Sequence, residues 1–162
     1  MKTKAIYPGS FDPITFGHLD LLKRSCKLFD DITIAVVVNP HKKALFTVEE
    51  RVAMIKKATK GYGNIKIDKF DGLLVDYAKK VKANVIIRGL RAIADFEYEF
   101  QMALVNRSLY KPLDMVYMMP SVEYTYLSSS IVREVAALGG DVSKFVPACI
   151  VESLKEKMKN VC

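Results

Sequence analysis

The chain has 162 residues, 51% of them hydrophobic and 27% charged, with a formal net charge of +7. That length fits one globular domain, residues 1–162, able to bury about two-thirds of the surface its unfolded chain exposes. The balance excludes disordered and fibrous classes. Cys26, Cys149 and Cys162 form no CxxC pair and stand far apart, which excludes a zinc site or a disulfide framework; no role is assigned to them. Pro8 and Gly9 interrupt the basic start before any apolar stretch, so no signal peptide is expected. The longest purely apolar run, Ile34 to Val38, is far short of the roughly 20 residues of a membrane span. A cytoplasmic protein without a membrane partner is expected. The basic excess would suit nucleic acid or phosphorylated ligands. Most lysines, among them Lys56, Lys57, Lys79 and Lys80, fall on polar helix faces, so no nucleic-acid partner is expected.

In chain order, Lys4–Tyr7 reads as a strand, and Leu19, Leu22, Cys26 and Phe29 recur at helical spacing after Gly17. Ile32–Asn39 is a second strand. Thr47-Val-Glu-Glu50 is a capping box opening a helix whose apolar face holds Val48, Val52 and Ile55. Strand Asn64–Phe70, helix Leu73–Val81, strand Asn84–Arg88, helix Phe96–Leu109 and strand Met115–Met119 follow. A helix over Ser130–Leu138 closes at Gly139-Gly140, and a last helix follows Pro147. Ile34-Ala-Val-Val-Val and Val85-Ile-Ile are continuously apolar, as parallel strands covered on both faces are. Strand–helix alternation repeated five times predicts an α/β fold, a single doubly wound five-stranded parallel sheet with helices on both faces. Phe96, Tyr98 and Phe100 sit at helical spacing and read as core or subunit-contact residues.

In such sheets ligands bind beyond the carboxyl ends of the strands. The first strand-exit loop, Pro8-Gly-Ser-Phe-Asp-Pro-Ile-Thr-Phe-Gly-His18, re-enters a helix near Gly17, where free N–H groups suit phosphate. Gly17 lacks a Cβ and would let a nucleotide approach, and His18 can donate to phosphate oxygens or simply cap the helix. The second loop carries Lys42 and Lys43, either one a phosphate ligand or a solvated charge. In the fourth, Arg88 and Arg91 flank Gly89 and Leu90; they can clamp an oxyanion or pair with Asp95, Glu97 or Glu99. In the fifth, Ser128, Ser129 and Ser130 can cap a helix or leave spare hydroxyls for a triphosphate. A P-loop, HExxH and GxSxG are all absent. Gly61-x-Gly63 is followed by Lys66 where a dinucleotide fingerprint needs a third glycine.

The first loop resembles the T/HxGH motif of the nucleotidyltransferase superfamily. With Asn39-Pro-His-Lys-Lys43, Arg88-Gly-Leu-Arg91, Asp95-Phe-Glu-Tyr-Glu99 and Tyr126-Leu-Ser-Ser-Ser-Ile-Val-Arg-Glu134, the chain resembles the bacterial phosphopantetheine adenylyltransferase family over nearly its whole length. The resemblance implies a Rossmann-like nucleotidyltransferase fold. It implies reversible transfer of AMP from ATP to 4′-phosphopantetheine with Mg²⁺, giving dephospho-coenzyme A and pyrophosphate, in homohexamers inhibited by coenzyme A. By similarity His18 stabilises the transition state and touches ATP. Ser10, Phe11, Gly89, Leu90, Arg91, Glu99, Tyr124, Thr125, Tyr126, Leu127, Ser128, Ser129 and Ser130 correspond to ATP positions. Ser10, Lys42, Leu74 and Arg88 correspond to acceptor positions. A superfamily member using another phosphorylated acceptor, or a basic RNA-binding module, are the alternatives.

Overall fold

The structure, a computed structural model, describes residues 2–38, 43–91 and 93–159. Among these, strands and helices alternate as β1 (Lys4–Gly9), α1 (Phe16–Ser25), β2 (Asp31–Val37), α2 (Val48–Ala58), β3 (Ile65–Phe70), α3 (Leu74–Val81), β4 (Val85–Gly89), α4 (Ile93–Leu109) and β5 (Asp114–Met118). A 3₁₀ turn at Val122–Tyr124, α5 (Ser129–Ala137) and α6 (Ala148–Lys159) complete the order. The sheet is parallel throughout, in the order β3-β2-β1-β4-β5. The expected α/β architecture is therefore the observed one. The 3₁₀ turn was not foreseen, and α4 starts before Phe96; the expected end of β2 at Asn39 lies outside the described residues.

Strand alternation divides the core in two. Tyr7, Ile34 and Ile87 point to one face, where they meet Leu21 and Leu22 of α1, Ile55 of α2, Val132 of α5 and Ile150 and Leu154 of α6. Ile6, Ala35 and Ile86 point to the other, against Val75, Tyr77 and Ala78 of α3. Apolar residues on both pleat faces explain why these strands read as unbroken hydrophobic runs.

The Thr47 box forms as expected: the Thr47 hydroxyl accepts from Glu50 N–H and the Glu50 carboxylate accepts from Thr47 N–H at 2.7 Å. Glu50 also binds Lys157 of α6 at 2.8 Å, anchoring the C-terminal helix beside the second loop. On α4 the pattern is inverted. Glu99 and Asn106 are buried, whereas Phe96, Tyr98, Phe100, Leu104, Val105 and Leu109 are each at least half exposed. The aromatics are thus not core residues, and the helix presents an apolar outer face.

The sheet reverses direction of winding between β1 and β4. These strands are in register only at Ala5–Val85 and Ile6–Ile86, whereas β1 and β2 pair over all of Lys4–Gly9. Beyond Ile6 the two central strands part, and the crevice that opens there is where a doubly wound sheet takes its ligand.

The central strands should dominate stability. Ile34→Ala, at a site with no exposure, should cost about 3 kcal/mol in urea unfolding. Ile65→Ala on edge strand β3, where the side chain is half-buried, should cost about 1 kcal/mol.

Candidate active site

Beyond the parting of β1 and β4 lies a cleft of about 430 Å³, lined by the first loop, Arg88, Gly89, Arg91, Pro120, Tyr124 and Leu127–Ser130. A second cleft of about 270 Å³ adjoins it and shares Gly9, Ser10, Arg88, Ser129 and Ser130; Lys43, Arg51 and Arg133 complete its basic lining. One backbone segment, Gly9-Ser10, therefore separates two anion-seeking compartments.

His18 is the third residue of α1, and Thr15 is the N-cap. The pair forms a capping box in which histidine takes the place usually held by Glu or Gln. His18 Nδ1 accepts from Thr15 N–H at 3.0 Å, and the Thr15 hydroxyl, 3.0 Å from the same nitrogen, accepts from His18 N–H. With Nδ1 an acceptor, the neutral ring carries its proton on Nε2. The ring packs edge-on against Phe11, centroids 5.1 Å apart, and Phe11 in turn meets Tyr7 at 5.4 Å. Phe11 holds this buried position with φ of 47°, a left-handed conformation that costs a bulky residue energy. Burial, and secondarily the positive charge of Arg91, push the His18 pKa down to about 4. The imidazole is therefore a neutral hydrogen-bond donor at physiological pH.

The two arginines part company. Arg88 Nε donates to both Glu99 oxygens at 3.0 and 3.1 Å, Nη2 bonds the same carboxylate, and Nη1 reaches Pro8 C=O at 3.4 Å. Tyr117 donates to Glu99 C=O at 2.7 Å and holds this part of α4 against β5. Glu99 is thus buried behind Arg88 and orients it without lining either cleft. Arg91 reaches across to Leu127 C=O at 3.5 Å.

Of the three serines, Ser128 caps α5 by accepting from Ile131 N–H at 3.2 Å. Ser129 donates its one hydroxyl proton to Pro13 C=O at 2.8 Å, and Ser130 accepts from Arg133 at 3.3 Å. The expectation of spare hydroxyls is corrected to this extent: Ser129 is committed to structure, while Ser128 and Ser130 keep a proton to give. What α5 also offers is the free N–H groups of its first turn. Gly17 lines the larger cleft, and a Cβ there would meet Tyr124 Cβ at 3.5 Å, an ordinary van der Waals contact.

Other expected positions fall around the clefts. Leu90 is buried and donates its N–H to Met118 C=O at 3.1 Å. Thr125 closes its own turn onto Val122 C=O, and Tyr126 is exposed against Phe145; neither lines the clefts. Leu74, at the start of α3, packs beside the second core and lines neither cleft. Lys42 lies outside the described residues. Sequence reasoning passed over Thr15, because a capping box is sought by its acidic third residue. It also passed over Asp12, Arg51 and Arg133, which bear on the clefts from a turn and two helices. Arg51 donates to Ser10 C=O at 2.7 Å and to Val37 C=O at 3.3 Å, bracing the segment between the compartments.

A family model described as cytidylyltransferase-like matches residues 6–135. Phosphopantetheine adenylyltransferase of Caldanaerobacter subterraneus subsp. tengcongensis is 54% identical over 155 residues, 96% of this chain and 97% of that protein. The enzyme of the same name from Finegoldia magna is 51% identical over 98% of both chains. Among solved structures, Plasmodium falciparum nicotinic acid mononucleotide adenylyltransferase complexed with NaAD superposes with a TM-score of 0.71 over 96% of each chain, at 18% identity, a likeness of fold.

The capping box makes His18 testable without any substrate. Long-range ¹H–¹⁵N NMR should show His18 as the Nε2–H tautomer at pH 7, with no protonation down to pH 5. A ring titrating near the ordinary value of about 6.5 would contradict the assignment. Because the unfolded imidazole binds a proton that the folded one refuses, stability should fall as pH drops from about 6.5 toward 4, and His18 should add no pH dependence above that window.

Proposed function

The chain belongs to the cytidylyltransferase-like family and, within it, to the phosphopantetheine adenylyltransferases, and from that premise we propose how its two clefts transfer the adenylyl group of ATP reversibly to 4′-phosphopantetheine, giving dephospho-coenzyme A and pyrophosphate. The observation that carries the reading is the meeting of the two basic clefts at Gly9-Ser10, in a chain about half identical to those enzymes over nearly its whole length.

ATP occupies the larger cleft, among Ser10, Phe11, His18, Gly89, Arg91, Tyr124 and the residues that lead to the N-terminus of α5. Leu90 and Glu99 are buried behind that wall, and Thr125 and Tyr126 are the exposed positions of the same segment that the resemblance assigns to the nucleotide. The acceptor phosphate occupies the smaller cleft with Arg88 and Ser10, and the acceptor-binding role that the resemblance implies for Lys42 belongs to the same reading; Leu74 is left with the apolar arm of the acceptor. An acceptor oxygen attacks the α-phosphorus, and the bond from that phosphorus to the oxygen bridging to the β-phosphate breaks. No general base is needed, because the phosphomonoester, with a second pKa of about 6, is already largely dianionic at pH 7. The work of the protein is to bring two anions together and meet the charge that grows as they react. The Nε2–H of His18 supplies one fixed donor, and the helix N-terminus and the arginines supply the rest.

Among the described residues no group of three carboxylates, histidines or cysteines is placed to hold a metal ion. Asp12, Asp20 and Glu99, the acidic groups beside the clefts, are engaged by Arg133, by Ser121 with Arg24, and by Arg88. Mg²⁺ enters with the nucleotide as part of the substrate, held chiefly by the triphosphate. Coenzyme A shares the product's adenosine and pantetheine parts and competes for both clefts, the basis of feedback inhibition. The apolar outer face of α4 supports self-association into a homohexamer. No helix among the described residues is long and apolar enough to cross a membrane, and the free Cys26 and Cys149 suit the reducing cytoplasm.

The test is pyrophosphate release from MgATP with 4′-phosphopantetheine, with the nucleotide product identified by mass. Dephospho-coenzyme A should form well above the rate with nicotinic acid mononucleotide; the reverse preference would overturn the acceptor. His18→Ala should lower kcat at least about a hundredfold with little change in the KM for ATP. Lys42→Ala should raise the acceptor KM as well as slow turnover, and an unchanged acceptor KM would remove Lys42 from that role. Light scattering should give a mass near six chains, and a monomer that persists at high concentration would sink the hexamer.

A further inference from the structure

Asp20 stands on α1 two residues beyond His18, and the adenylyl transfer described above makes no use of it. Its carboxylate accepts from the backbone N–H of Ser121 at 3.0 Å, from the Ser121 hydroxyl at 2.9 Å and from the Arg24 guanidinium at 3.2 Å. Arg24 also donates to Met119 C=O at 2.6 Å. The Asp20 side chain is 16% exposed, so solvent competes weakly for these bonds. Met119–Ser121 is where the chain leaves β5. The part of the far wall of the larger cleft nearest that point, Pro120 and Tyr124, follows directly from it, whereas Leu127 and the start of α5 are also held by Arg91, Pro13 and Asp12.

A carboxylate at the border of a cleft that takes a triphosphate repels its ligand. Its contribution must be geometric. We infer that Asp20 is a positioning residue for the nucleotide: through Ser121 and Arg24 it locks the β5-exit segment onto the helix that carries His18. The Nε2–H donor and the cleft wall that begins at Pro120 are then held a set distance apart. The inference rests on the reading of the larger cleft as the ATP site. It assigns the two walls of that cleft to one rigid unit, because α1 supplies one wall and Asp20 fastens the other to it. Asp20, Arg24 and Ser121 do not line the smaller cleft. The Ser129 and Ser130 that it shares with the larger one are held to the first loop by Ser129 to Pro13 C=O and by Arg133 to Asp12, independently of this clamp.

The test measures binding of α,β-methylene-ATP by calorimetry, and KM for each substrate, in wild type, Asp20→Ala, Asp20→Asn and Ser121→Ala. Asp20→Ala should weaken the analogue about tenfold and raise the ATP KM in step, with the acceptor KM unchanged. Asp20→Asn keeps an oxygen for Ser121 and should fall between alanine and wild type. Tighter analogue binding by Asp20→Asn would show that charge repulsion outweighs positioning and would overturn the inference. Equal increases in both KM values with a lowered Tm would overturn it too, since a general structural defect has no reason to single out one substrate. If Asp20→Ala fails to fold, Ser121→Ala carries the test: a rise in ATP KM alone supports the clamp, and no change refutes it. Wild type that yields no dephospho-coenzyme A would instead refute the assignment of the reaction, whereas an active wild type with unaffected variants would refute the clamp alone.

Discussion

The clefts depend on one buried carboxylate. Asp12, 4% exposed, accepts from the backbone N–H groups of Leu45 and Phe46, both at 2.9 Å, and pairs with Arg133 of α5 at 3.4 Å. Arg133 donates to Asp12 C=O as well. Three segments far apart in the chain, the first loop, the end of the second loop and α5, therefore converge on one side chain. Each of those segments lines a cleft, and none is held there by the sheet. An ion left uncompensated in such a place costs several kcal/mol, so the three segments are fixed or lost together.

The same economy recurs around the site. Groups that line the clefts are held in place by partners within the protein: His18 by Thr15, Arg88 by Glu99, Ser10 C=O by Arg51, and the β5-exit segment by Asp20. The supporting bonds are charge-assisted or made to backbone, which is what sets side-chain rotamers firmly enough for two anions to be aligned. The Thr15–His18 pair has a further effect. A helix cap that uses imidazole as its acceptor directs the only proton of the neutral ring to the opposite nitrogen. Local helix stability and the tautomer that His18 presents at the larger cleft are thus served by one hydrogen bond.

Much of this was legible in the residues. Hydrophobic runs at Ile34–Val38 and Val85–Ile87 marked strands buried on both faces, and the rule that ligands sit beyond strand ends directed attention to loops that do surround the clefts. Boundaries missed by a residue or more, as at α5, because Ser128, Ser129 and Ser130 are equally good caps locally and only packing against Pro13 chooses among them. The resemblance implied a nucleotide position at Glu99, while the residues themselves allowed an ion pair of Arg88 with Asp95, Glu97 or Glu99; the structure pairs Arg88 with Glu99. Helical spacing placed it near Arg88 without saying which of the two would face the cleft. On α4, apolar spacing allowed either a core face or a subunit contact, and the structure turns Phe96, Tyr98 and Phe100 outward.

Local pattern by itself determined the alternation of elements, the parallel sheet, the capping box at Thr47 and the set of loops that carry the polar chemistry, because each depends on residues within a turn or two of one another. Only the tertiary structure decided which polar groups remain for a ligand and which are consumed as supports. That outcome depends on pairings between residues far apart in the chain, Asp12 with Arg133, Arg88 with Glu99 and Asp20 with Ser121. A side chain's hydrogen-bond capacity is limited, and whether it is spent inside the protein is settled by whichever neighbour the fold brings within about 3 Å.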